Sequence, residues 1–162
     1  MVSKEVLFKL RFVILILSLL TLDLASKAFA ETALIYGQSE HTILPFIDLL
    51  LIYNSGIAFG IFNSANAYSS YILLVITIMI SLYLLWMIFN ESNVMKKYAL
   101  SIITAGAFGN IIDRAIDNKV TDFLHLEMFN FSFFIFNFAD AFITIGAILI
   151  IYFEIIYKPN NE

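Results

Sequence analysis

The chain has no cysteine, only two histidines and two prolines, and little charge: 14% of its 162 residues are Asp, Glu, Lys or Arg. Without cysteine there is no disulfide, no thiolate metal site and no cysteine nucleophile. With only His41 and His125, a histidine-rich metal site is not expected either. No basic patch with interleaved aromatic residues occurs, which argues against a nucleic-acid partner. No internal repeat and no linker rich in Gly, Ser or Pro divides the chain. What fills it is apolar: 61% of residues are hydrophobic and the mean hydropathy is +0.90. Soluble domains carry about 45–50% apolar and about 25% charged residues. Composition therefore assigns the chain to the membrane class, and its length leaves no room for a large second domain. The net charge of −4 says little about partners, because the charges gather at the ends of apolar runs.

A membrane-spanning helix needs about 20 mostly apolar residues. Four segments qualify, at about 6–29, 68–89, 98–112 and 133–157. The third is short and rich in small residues (Ala105, Gly106, Ala107, Gly109), which suits close packing inside a bundle. Six basic residues (Lys4, Lys9, Arg11, Lys96, Lys97, Lys158) flank the spans on one side, and three (Lys27, Arg114, Lys119) on the other. Basic residues favour the cytoplasmic side. Both termini are thus expected in the cytoplasm, with external segments at about 30–67 and 113–132. The first segment also fits a cleavable signal peptide, with basic residues before Phe12 to Leu22 and Ala28-Phe29-Ala30 after it. Three further spans follow, and Asp23 and Lys27 stand i,i+4 on one helical face, so it is read as a span.

Carboxylates within such segments are expensive, at roughly 2.5–3.5 kcal/mol each on insertion scales, and mark working sites by default. Asp23 and Lys27 sit near the outer end of the first span and Asp140 lies in the last. On their own, Asp23 and Lys27 also suit an interfacial ion pair. Asn54-Ser55-Gly56-Ile57-Ala58-Phe59-Gly60 follows a short apolar strand from Ile47 to Tyr53 and reads as a tight turn. Asn110, Asp113 and Arg114 share one helical face, where Arg114 suits a carboxylate or phosphate through its planar fork or a snorkelling pair with Asp113. Asp122 lies in an aromatic-rich external segment expected to rest on the membrane surface. Asn137 and Asp140, at i,i+3, share a face of the last span.

Five motifs carry these residues in order: Asp-x-x-Ser-Lys at Asp23, Asn-x-Gly-x-Ala-Phe-Gly at Asn54, Gly-Asn-x-x-Asp-Arg at Gly109, Val-x-Asp-Phe at Val120 and Phe-Asn-x-Ala-Asp at Phe136. Together they resemble the lipoprotein signal peptidase (signal peptidase II) family over nearly the whole chain. One departure is Ala105 before Gly106, where that family often has Gly-Gly; it changes a packing position. The resemblance implies an α-helical integral membrane protein, with four transmembrane helices and a small β-like cradle on the external side. It implies an aspartic endopeptidase with Asp122 and Asp140 catalytic and Asp23, Lys27, Asn54, Gly56, Asn110, Asp113, Arg114 and Asn137 in support. The implied substrate is a bacterial prolipoprotein whose cysteine already carries diacylglycerol, cut just before that cysteine. The expected setting is the bacterial cytoplasmic (inner) membrane, with lipid as surroundings, a monomeric protein, and no metal or cofactor.

Hydrolysis of an amide by two carboxylates needs them close enough to share a proton, one acting as base toward water and the other as acid. The residues alone do not choose between Asp113 and Asp122 as the partner of Asp140. Arg114 beside Asp113 favours an ionised, structural carboxylate there, and the resemblance selects Asp122. Two other readings compete. A proton- or ion-coupled transport subunit would line its path with charges near the midplane, whereas most charges here sit at one end. A non-enzymatic assembly protein held by interhelical polar contacts would explain Asn110 and Asn137 but not two separate external Asp motifs.

Overall fold

The computed structural model describes residues 3–56, 67–129 and 131–156. The described residues form four helices and a four-stranded sheet, in the order α1 (Lys4–Ala33), β1 (Ser39–Glu40), β2 (Ile47–Asn54), α2 (Ala67–Asn90), α3 (Val94–Asp117), β3 (Val120–Met128), β4 (Phe131–Phe136) and α4 (Phe138–Ile151), which runs into a π-helical turn at Tyr152–Ile156. Residues Ile57 to Gly60 of the Asn54 motif lie outside the described residues.

Local chemistry fixes the helix ends. Ser3 Oγ accepts from the Val6 amide at 3.3 Å and caps α1, and Asn93 Oδ1 accepts from the Met95 and Lys96 amides and caps α3. α3 stops at Asn118, whose φ of 57° is left-handed, a conformation Asn tolerates better than most residues. Two residues later β3 begins, so the turn delivers Asp122 back toward the helix that carries Asn110 and Arg114. Ser70 Oγ donates to the Asn118 carbonyl at 2.5 Å and ties α2 to this turn.

Among the described residues, three stretches are long and apolar enough to cross a membrane by length and composition: Ser70–Asn90, Val94–Asp117 and Phe138–Ile155. α1, at 30 residues, is about 45 Å long, and its outward face of Leu7, Leu10, Ile14 and Leu17 is exposed, a little less than that of α2 at Ile72, Met79, Leu82 and Trp86. Faces of this kind suit lipid rather than water. The protein is thus an α-helical membrane protein with four long helices.

α3 packs against α1, α2 and α4 and forms the axis of the bundle. Its small residues make this approach possible. A Cβ on Gly106 would strike the Ala139 carbonyl of α4, and one on Gly109 would strike the Asp23 carboxylate of α1. Ala105 is fully buried, in a cluster with Ile16, Leu84, Ile88 and Leu100, as a packing position should be.

The sheet is antiparallel in the order β1-β2-β3-β4. It seats on one end of the bundle through Leu51 and Phe123, packed with Ala30 and Leu34 from the end of α1 and with Phe138 at the start of α4. Of the segment at 113–132 read as lying on the membrane surface, 113–117 is the end of α3 and most of the rest belongs to the β3–β4 hairpin. The 133–157 segment divides: Phe131–Phe136 is strand, and helix starts only at Phe138. An unbroken apolar run does not distinguish strand from helix; pairing with β3 and the cap at Asn137 do. α3 also extends beyond 98–112 at both ends.

Candidate active site

The residues at the sheet end of the bundle form one connected polar network. At the start of α4, Asn137 Oδ1 accepts from the Asp140 amide at 3.0 Å while Asp140 Oδ2 accepts from the Asn137 amide at 3.3 Å. This reciprocal cap holds Asp140 at the helix N-terminus, where backbone amides favour negative charge. The Asn137 side chain is fully buried, and its Nδ2 donates to Asp122 Oδ1 at 2.6 Å. Asn54 Nδ2, from the end of β2, donates to the other Asp122 oxygen at 3.2 Å. Asn110 Nδ2, from α3, donates to Asp140 Oδ1 at 2.8 Å. Asp122 and Asp140 are thus each aimed by neutral amides drawn from separate elements.

Behind them lies a buried cation. Lys27 Nζ reaches Asp23 Oδ2 at 2.8 Å, Asp113 Oδ2 at 2.9 Å and Asn110 Oδ1 at 3.1 Å. Asp23 Oδ1 accepts from the Ala139 amide at 2.8 Å, which locks α1 to α4. Asp113 Oδ2 accepts from the Thr121 amide at 3.2 Å, which locks α3 to β3 beside Asp122. Desolvating such charges is costly, and only excellent geometry with further hydrogen bonds offsets it. These contacts make Asp23, Lys27 and Asp113 the frame that holds the cavity's amides and carboxylates in place.

Asn54, Gly56, Arg114, Asp122 and Asp140 line one cavity of about 620 Å³, whose remaining wall is Phe134, Ile135, Phe136, Ala141, Thr144 and Ile145. A concave, mostly apolar space with a few convergent polar groups has the form of a binding site. Arg114 Nη1 donates to the Asn110 carbonyl at 3.4 Å, and its buried Nε has no partner among the described residues. Burial, and then the negative charge of Asp140, raises the Asp122 carboxyl from its ordinary value to about 7, against the pull of Asn54 and Asn137. Two carboxylates facing one cavity, one of them holding its proton near neutrality, can supply a base to a water and an acid to the group that the water attacks.

The sequence of the chain matches known proteins across this whole arrangement. The profile of the signal peptidase (SPase) II family matches residues 15–156. The chain belongs to the signal peptidase II family. It is therefore a protease by descent. A lipoprotein signal peptidase of Neisseria meningitidis is 34% identical over 161 residues, 99% of this chain and 98% of that protein. One from Pelagibacter ubique is 40% identical over 124 residues, covering 74% and 73% of the two chains. A solved bacterial membrane enzyme superimposes with a TM-score of 0.78 at 28% identity, covering 94% of each chain. A second does so at 0.78 and 31% identity over 91% of this chain and 94% of that one.

All ten site residues expected from the sequence fall in this network or on the cavity wall. What sequence reasoning missed is the apolar wall of Phe134, Phe136 and Ile145, and the bond from Thr121 Oγ1 to Glu31 Oε1 at 2.7 Å that pins β3 to α1. Glu31 stands i,i+4 from Lys27, a spacing that marks it as sharing the polar face. Nothing local marks the wall residues, which look like any other apolar run.

Proposed function

We propose that the protein is an aspartic endopeptidase that removes signal peptides from diacylglyceryl-modified bacterial prolipoproteins, cutting before the lipidated cysteine, with Asp122 and Asp140 as the catalytic pair. The observation that carries this is the single cavity onto which both carboxylates open, within a signal peptidase II chain. Asp122 keeps its proton up to about pH 7, so the pair brings one acid and one base to the cavity. The ionised member takes a proton from the attacking water, and the protonated one donates to the scissile carbonyl. The roles reverse as the leaving nitrogen takes its proton and the C–N bond breaks. Arg114, on the cavity wall with its Nε unpaired among the described residues, orients the substrate. Asn54, Gly56, Asn110 and Asn137 hold the pair and the peptide in register.

The same reading sets the protein as a monomer in the bacterial cytoplasmic (inner) membrane. The whole chain acts as one polytopic membrane domain, with both termini cytoplasmic and the cavity at the external face. The acyl chains of the substrate stay in lipid beside the apolar wall and hold the scissile bond at the depth of the pair, so that the encounter is already positioned. Purified protein in detergent should therefore cut a diacylglyceryl precursor and leave the unmodified precursor largely intact. Equal cleavage of both forms would remove the lipid from the proposal, and no cleavage of either would remove the activity.

A further inference from the structure

The fold assembles a second cluster of chemistry-bearing side chains away from this cavity. Asp48 on β2 stands directly across from His125 on β3, and Glu127 follows two residues along the same strand. Alternation puts His125 and Glu127 on one face of β3 and Asp122 on the other. Asp48, His125 and Glu127 each offer one donor atom, all within 4.8 Å of one another.

His125 gives the cluster its meaning. The residue is 6% exposed, and its Nε2 lies 2.7 Å from Ser132 Oγ on β4. Its buried Nδ1 has no hydrogen-bond partner among the described residues and faces Glu127 Oε2 at 3.8 Å. A buried polar nitrogen left unpaired is a net loss to the fold unless something fills the place. In the Nε2–H tautomer Ser132 accepts the proton and Nδ1 presents its lone pair to the two carboxylates. Ligand imidazoles are held in this way, with the second ring nitrogen bonded outward. A cavity of about 330 Å³ is lined in part by His41, Asp48 and Glu127, so the two carboxylates of the cluster border open space.

We propose that Asp48, His125 and Glu127 form a binding site for a divalent transition-metal cation of the zinc type. One imidazole and two carboxylates suit zinc and its first-row neighbours, whereas calcium and magnesium prefer oxygen alone. Three protein donors leave one tetrahedral position. A water can fill it. The ion bridges β2 and β3 directly and reaches β4 through Ser132. It therefore clamps the strand that carries Asp122 three residues away, in a chain without disulfides to do so.

The test uses the full-length protein in detergent, purified with a histidine-free tag and stripped by chelator. Zn²⁺ and Co²⁺ should raise the apparent Tm, and Co²⁺ should give the visible absorption of an ordered N/O site. Mg²⁺ and Ca²⁺ at equal concentration should do neither. Asp48→Asn with Glu127→Gln, which preserves side-chain shape, should abolish both readouts while keeping the metal-free Tm. Ser132→Ala should weaken Co²⁺ binding about 10–100-fold with the spectrum unchanged in form. If the double variant does not fold, the Ser132→Ala titration decides. A Zn²⁺ shift that survives in the folded double variant, an equal shift from Ca²⁺, absence of a Co²⁺ spectrum, or unaltered affinity in Ser132→Ala would overturn the proposal.

Discussion

Replacing Asp122 by Asn separates the chemistry of this carboxyl from its packing. An acid whose pKa is higher in the folded chain binds more protons folded than unfolded between the two values. Stability is then present at low pH and lost as pH rises. For Asp122 the window runs from 3.8 to about 7. At 1.36 kcal/mol per unit, at most roughly 4 kcal/mol disappears between about pH 4 and pH 7. The amide of Asp122→Asn carries no charge and lacks this slope. Its oxygen still accepts from Asn137, but its own NH₂ faces the Asn54 Nδ2 donor, a loss of about 1 kcal/mol for one hydrogen bond. The variant should therefore be less stable than the wild type near pH 4, at least as stable at pH 8, and inactive throughout. Wild-type cleavage should decline above about pH 7, where the Asp122 proton is lost. Thermal unfolding in detergent from pH 4 to 8, with cleavage of a lipidated precursor at each pH, measures all of this. Parallel stability curves for the two proteins would refute the buried-proton argument, and near-wild-type cleavage by the variant would refute the catalytic assignment.

Lys27→Met should be among the most damaging single changes, because it leaves the buried Asp23 and the partly buried Asp113 without their cation. The loss should be about 3–5 kcal/mol, read as a lowered Tm or failure to insert, and a Tm within a degree of wild type would contradict the frame role. Gly109→Ala pushes a methyl into the Asp23 carboxylate and should destabilise by about 1–3 kcal/mol; an unchanged Tm would mean that α1 and α3 separate freely there. For topology, Ser39→Cys should react with an impermeant thiol reagent from outside the cell and Ser92→Cys should not, in a chain with no native cysteine to interfere. Labelling of Ser92→Cys alone would invert the proposed orientation.

Much of the molecule is legible in local sequence. Low charge and long apolar runs specify a membrane bundle, since burial of apolar surface in lipid depends on composition and length alone. The i,i+3 and i,i+4 spacings of Asn110, Asp113 and Arg114, and of Asn137 and Asp140, place side chains on shared faces because helical geometry is local. Ala105, Gly106 and Gly109 announce a tightly packed third helix for the same reason. What local pattern does not carry is pairing. Phe131–Phe136 is as apolar as a helix, and only its bonds to β3 make it a strand. Whether Asp113 or Asp122 joins Asp140 at the cavity depends on the left-handed turn at Asn118, which folds β3 back over the end of α3. Asp48, His125 and Glu127 are scattered along the chain, and neither period nor motif connects Asp48 to the other two. Cross-strand register alone brings the three together. Tertiary structure decides such meetings because they join residues far apart in sequence, where no repeat of 2.0 or 3.6 residues reaches.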